Sequence, residues 1–93
     1  MSDSAFVAVD IETATPHRGT ICQIGFAAFR GSGEPRRDST YVNPCCPFDV
    51  WHTRIHGINA LVVQDAPKLP DIWSWITDWI ADEVVVSHSG FDR

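Results

Sequence analysis

From Asp71 onward the hydrophobic residues of the chain change their period, and that change limits the folds open to it. Ile72, Trp75, Ile76, Trp79 and Ile80 recur at i, i+3, i+4, i+7 and i+8, the single apolar stripe of a core-facing α-helix. Asp71, directly after Pro70, stands where an N-cap would start that helix. A few residues later Val84-Val85-Val86-Ser87 reads as a short buried strand. A helix that feeds a strand at once is a crossover, the connection by which parallel strands enter one sheet.

What precedes the helix has a different rhythm. Residues 6–11 are apolar and rich in β-branched side chains, and residues 20–30 make a second, longer run of the same kind. Gly31-Ser32-Gly33-Glu34-Pro35 is hairpin punctuation, and residues 37–42 follow as a third strand ended by Asn43-Pro44. Residues 45–70 are irregular and proline-bearing, with one short helical candidate at 60–65. The order is thus three strands in a meander, an irregular segment, a helix and a strand. It predicts an α/β fold with a mixed sheet, an antiparallel meander joined by a parallel strand.

At 93 residues the chain is one small domain at most, and no repeat or linker divides it. A strand as apolar as Val84-Val85-Val86 ordinarily lies mid-sheet with both faces covered. One convincing long helix is too little to cover this sheet. Either a partner chain supplies the rest or residues 1–93 are part of a larger domain, and the second is the preferred expectation. The domain is therefore expected to be incomplete, cut after its fourth strand.

Charge and cysteine content narrow the function classes. A formal net charge of −5 argues against binding nucleic acid by blanket phosphate neutralisation, which needs a surplus of Lys and Arg. It leaves open an enzyme that meets phosphates through cations held on carboxylates. The 3 cysteines are an odd count, with Cys45 and Cys46 adjacent and no C-x-x-C, so no disulfide framework is indicated. Cys22, inside an apolar run, reads as a small buried hydrophobe. No apolar run approaches the roughly 18 residues of a membrane span, and the first residues lack a signal peptide's pattern. The cytoplasm is the expected compartment.

The chemistry concentrates at two strand ends. Alternation along the first strand points Asp10 and Glu12 to one face and Ile11 to the other. Two carboxylates held that close repel, and a divalent cation resolves the conflict, magnesium or manganese suiting hard oxygen ligands. The plainer alternative is a solvated strand end. After Val84-Val85-Val86, the run His88-Ser89-Gly90-Phe91-Asp92-Arg93 leaves a strand by a small-residue turn, a place where α/β sheets gather sites. Asp92 would meet Asp10 and Glu12 if the strands are neighbours; otherwise it is an early helix carboxylate favoured by the dipole.

Taken in order, these motifs resemble the DEDD superfamily of 3′–5′ exonucleases, the group of the DNA polymerase III epsilon proofreading subunit and RNase T. The family's D-x-E-T is matched by Asp10-Ile11-Glu12-Thr13, and its I-x-Q-I-G run by Ile21-Cys22-Gln23-Ile24-Gly25. An I-H-G-I segment and an A-P pair follow at Ile55-His56-Gly57-Ile58 and Ala66-Pro67, then the second acidic motif at His88, Phe91 and Asp92. The resemblance implies an RNase H-like fold and two-metal hydrolysis of phosphodiester bonds at a single-stranded 3′ end of DNA or RNA. It implies magnesium or manganese held by Asp10, Glu12 and Asp92, with Thr13, His88 and Phe91 against the substrate, and a polymerase as a possible partner. Asp10 would bridge both cations, Glu12 would ligate the first and Asp92 would help hold the second. Ser89 stands where relatives often carry Asn, which touches the sugar contacts rather than Asp92. The family also uses a fourth carboxylate with a base before it, as H-x-x-x-x-D or Y-x-x-x-D. No His here has Asp five residues on, and Tyr41 has Cys45 at the required place. The expectation is an N-terminal portion of an exonuclease domain, weakly active or inactive by itself. A non-catalytic nucleic-acid-binding or protein-interaction module of the same descent is the alternative.

Other residues are assigned more modest parts. Cys45, Cys46, His52 and His56 form a conceivable zinc set, but adjacent cysteines rarely point the same way, and loop cysteines with a capping histidine are preferred. Helical spacing places Trp75 and Trp79 in the core and leaves Trp73 off the stripe. Trp51 is the better placed tryptophan for a nucleic-acid contact, and Arg36-Arg37 reads as a solvated pair.

Overall fold

The computed structural model of the chain describes residues 5–17 and 19–87. Strands β1 (Ala5–Thr13), β2 (Ile21–Arg30) and β3 (Arg36–Tyr41) form the meander, and β4 (Val85–Ser87) follows the helical segment. The sheet has 4 strands in the order β3-β2-β1-β4. The first two pairings are antiparallel, and β4 runs parallel to β1 with Val9 beside Ser87. The mixed sheet expected from the sequence is therefore the one observed, an α/β arrangement of RNase H-like type.

The register divides β1 cleanly. Val7, Val9 and Ile11 share a face with Ala28, Phe26 and Ile24 of β2, their cross-strand partners. Onto that face packs the stripe of the last helix, α3 (Trp73–Ile80), through Ile76 and Trp79, with Trp75, Ile72 and Ile80 at the margin. The Trp79 ring stacks on Phe26 at 5.4 Å, and Trp75 meets Phe26 edge-on at 5.3 Å. Arg36 lies over the Trp79 ring, 4.2 Å from its centroid. It is exposed, as expected from the sequence, and is also a cation–π partner of the core's edge. Trp73 is 58% exposed, as its place off the stripe implied.

The segment before α3 is more ordered than its composition suggested. Helix α1 (Val50–His56) is capped by Asp49, whose side chain accepts from the His52 amide, and it ends at Gly57 in the left-handed region with φ 75°. It buries none of its residues, so its sequence carries no core-facing stripe to betray it. Helix α2 (Ala60–Val63), capped by Asn59, is shorter than the 60–65 expected. Cys22, Ile58 and Val63 form a small second core with Phe48 and Ala66, fastening this segment beneath the end of β2.

Two expectations need correction. Asp71 does not cap α3. A 3-10 turn, Leu69–Ile72, precedes the helix, and Asp71 reaches back within it to accept from the Lys68 amide at 3.0 Å. Pro70 near the start of that turn brings a fixed φ and no donor, which favours a tight turn there. Nor is β4 a covered, mid-sheet strand: it pairs only with β1 among the described residues, and Val84, Val85 and Val86 are 65%, 47% and 45% exposed.

The packing separates two substitutions on one helix. Ile76→Ala is expected to lower unfolding free energy by about 2–4 kcal/mol, and Trp73→Ala by less than about 0.5 kcal/mol. Urea denaturation followed by far-UV circular dichroism measures both. Equal losses would contradict the assigned helix face.

Candidate metal centre on the open face of the sheet

The other face of the sheet carries Phe6, Ala8, Asp10 and Glu12 from β1, opposite Phe29, Ala27, Gly25 and Gln23 of β2. Beyond these, Arg37, Ser39 and Tyr41 of β3 continue the rows. The Phe6 and Phe29 rings stack at 4.9 Å. Between that pair and β3 lies a shallow depression of about 570 Å³, lined by Ala8, Asp10, Gly25, Ala27, Arg37 and Ser39. Gly25 keeps it open next to Asp10, because a Cβ there would stand 3.3 Å from the Ser39 Cβ. The I-x-Q-I-G run thus contributes a gap in the row of side chains facing Asp10.

Asp10 is exposed and Glu12 half-buried. Strand alternation turns both to this face, as the sequence implied, and neither makes an ion pair among the described residues. Their oxygens are free to face a hard cation, the donor chemistry magnesium and manganese prefer. Among the described residues no group of three or more His, Cys, Asp or Glu is gathered as a metal cluster. His88, Phe91 and Asp92 lie outside the described residues. Among the described residues the site is a pair of carboxylates at the end of a strand. Parallel pairing brings the C-terminal end of β4 to Val9, the residue before Asp10.

Just past Glu12 the ladder is irregular. Glu12 pairs with Gln23 but Thr13 pairs with Ile21, so Cys22 is the extra residue of a bulge. Thr13 is 3% exposed and Cys22 fully buried. The Thr13 carbonyl accepts from His56 Nε2 at 2.8 Å, while His56 Nδ1 accepts from the Ile58 amide at 3.0 Å. Cys22 Sγ stands 3.9 Å from the same Nε2. Beyond it, the turn is closed by the Thr20 hydroxyl, which donates to the His17 carbonyl at 2.6 Å, and by the Ala14 amide on the Thr20 carbonyl at 2.8 Å. The I-H-G-I motif was the signal for His56, but its contact depends on a long-range fold that spacing does not reveal.

The zinc alternative finds no support among the described residues. The His52 ring donates to the Asp49 carboxylate at 2.8 Å, and His56 is engaged as above. Asp49 is held below its usual carboxyl range by the His52 amide first and the His52 ring second. Trp51 is 67% exposed, available for contact as its position suggested.

Burial, with the Glu12 charge as a smaller contributor, pushes the Cys22 thiol up from its ordinary 9.0 to about 11. A thiol whose folded pKa is raised adds stability that is fully present below the unfolded pKa and is lost as pH rises through the folded value. The urea midpoint is therefore expected to fall between pH 9.0 and about 11, and to fall less steeply in Cys22→Ala. Parallel declines in the two proteins would show that Cys22 is not responsible.

Comparison with known proteins accords with this geometry. The sequence model of the exonuclease family named for RNase T matches residues 7–93. The chain is 24% identical over 91 residues to the PolC-type DNA polymerase III of Bacillus subtilis strain 168, covering 96% of this chain and 6% of that protein. It is 27% identical over 89 residues to the PolC-type DNA polymerase III of Caldanaerobacter subterraneus subsp. tengcongensis, covering 94% of this chain and 6% of that one. The corresponding Bacillus cereus protein is 21% identical over 91 residues, with 6% of its length covered. With D-x-E-T at the end of β1, a mixed sheet and a family match over nearly its whole length, this chain belongs to the RNase T exonuclease family of the DEDD superfamily.

Proposed function

We propose that the chain belongs to a 3′–5′ exonuclease that removes nucleotides from a single-stranded 3′ end with two divalent cations. The observation that carries this reading is that Asp10 and Glu12 share the open face of β1, free of basic partners among the described residues, with Asp10 lining the depression beside Gly25. Asp10 would bridge two magnesium or manganese ions, Glu12 would hold the first, and Asp92 would help hold the second. When bound, such cations supply an activated water and compensate the charge of the departing oxygen.

The remaining work falls to the chain itself. The stretch around Thr13, which is itself 3% exposed, would meet the terminal nucleotide together with His88 and Phe91. The stacked Phe6 and Phe29 rings and exposed Trp51 offer apolar surfaces on which bases stack without sequence preference. A net charge of −5 suits a site whose positive charge comes from cations rather than side chains. The names of the relatives favour a DNA end and work alongside a polymerase; the exonuclease family itself extends to RNA. Because the chain spans about 6% of those relatives, the activity and partners of a whole protein are part of this proposal.

A second reading, a nucleic-acid-binding or protein-interaction module that no longer cuts, draws on one observation. Among the described residues the open face gathers Asp10 and Glu12 without a further ligand. Retaining adjacent carboxylates with nothing to neutralise them is destabilising, and this weighs against the second reading.

Metal titration separates the two. Manganese is expected to raise the melting temperature of the chain, and the gain should vanish in Asp10→Ala. That variant should itself be at least as stable as the original without metal, since it relieves a like-charge pair. No stabilisation by manganese or magnesium in the original chain would favour the binding module and contradict the exonuclease reading.

A further inference from the structure

The sequence motif Ile55-His56-Gly57-Ile58 has no part in the mechanism above, yet His56 is tied to the strand that bears both carboxylates. Its ring sits at the C-terminal end of α1, beside the bulge at Cys22. The Ile58 amide can only donate, so Nδ1 at 3.0 Å must be the bare nitrogen. The proton is then on Nε2, which donates to the Thr13 carbonyl at 2.8 Å. The ring is the neutral Nε2–H tautomer, fixed from both sides. Gly57, at φ 75°, turns the chain so that the Ile58 amide comes back to the ring, and buried Ile58 anchors that return in the second core.

The bulge gives this bond its consequence. A bulge bends the strand that carries the extra residue and disrupts the ladder beside it; here Cys22 is the extra residue of β2, and the pairing of β1 is interrupted between Glu12 and Thr13. A strand end at an irregular pairing is less constrained than one in a regular ladder. Here the first carbonyl beyond Glu12 is gripped by a ring seated on another element. The Asp49 amide donating to the Ala14 carbonyl at 3.0 Å fastens the same stretch to the start of α1. Helix α1 thus holds the end of β1 at both of its own ends.

We propose that His56 is a positioning residue for the Asp10–Glu12 pair: by holding the Thr13 carbonyl it fixes the strand end at the bulge, and with it the direction of Glu12 toward the cation. This rests on the exonuclease reading, and it adds a residue that touches neither metal nor substrate. Groups that orient ligands from behind typically alter metal affinity by about 10–100-fold when removed. A histidine acting one peptide away from Glu12 belongs at the lower end.

Calorimetric titration of magnesium into the chain and into Asp10→Ala, His56→Ala and His56→Gln tests it. His56→Ala should bind magnesium about tenfold more weakly, and His56→Gln, whose amide keeps a donor, should recover most of the loss. Unchanged magnesium affinity in a folded His56→Ala overturns the proposal, even if its melting temperature falls, because the role is then structural only. If the original chain and Asp10→Ala take up magnesium alike, the exonuclease reading fails first and the positioning role with it. Should His56→Ala not fold, nitrogen-15 spectra of the imidazole in the original chain decide. Protonated Nε2, bare Nδ1 and a shift of the ring signals on magnesium saturation are expected. Ring signals that ignore magnesium, or the other tautomer, overturn the proposal.

Discussion

The pairing of β1 with β2 is the constraint on which the rest of this molecule depends. Its register sets which side chains of β1 meet α3 and which face outward, and a slip of one residue would exchange the two sets. Val7, Val9 and Ile11 on one face and Asp10 and Glu12 on the other have opposite needs. Moving either carboxylate under Ile76 and Trp79 would bury an unpaired charge at prohibitive cost. The hydrophobic core therefore presents the acidic pair to solvent. Stability and chemistry draw on the same alternation, and neither can shift without the other.

The end of that pairing is where regularity stops. Cys22 bulges out of the β1–β2 ladder, Thr13 is buried, and the segment from Asn43 to Pro67 folds back over both. The Asn43 amide on the Pro67 carbonyl closes this segment at 2.9 Å. A stretch that reads as an irregular loop is thus a brace, with α1, α2 and a small core of their own. Its cohesion depends more on caps and a few buried side chains than on a stripe. Asp49, Asn59 and Gly57 terminate helices too short to be stable alone.

What the sequence disclosed, and what it hid, follow from the same physics. The strands were legible because β-branched and aromatic runs bounded by Gly, Pro and Asn have few other uses. Helix α3 was legible because its stripe packs on a core. Helix α1 was not, since no residue of it is buried and no periodic signal arises. The composition of Val84-Val85-Val86 suggests a covered strand, but hydrophobicity cannot say where in a sheet a strand pairs. Asp71 looked like an N-cap because it follows Pro70; the intervening 3-10 turn moved the start of α3. In the site, Asp10 and Glu12 could be put on one face by alternation alone. Gly25 and His56 were visible as motif letters, but their purposes required the cross-strand partner of one and the long-range hydrogen bond of the other. Asp92 lies outside the described residues, so its part rests on the resemblance.

Locating a bound ion tests the central claim, that the open face at the end of β1 is a cation site, most directly. Substoichiometric manganese broadens nuclear resonances according to their distance from the ion. The amides of Asp10, Glu12, Gln23 and Gly25 are expected to broaden first, with the Trp79 indole and the Ile76 methyls, on the covered face, surviving longest. Broadening centred instead on the acidic residues around α3, Asp71, Asp78 and Asp82, or spread evenly over the surface, would contradict it.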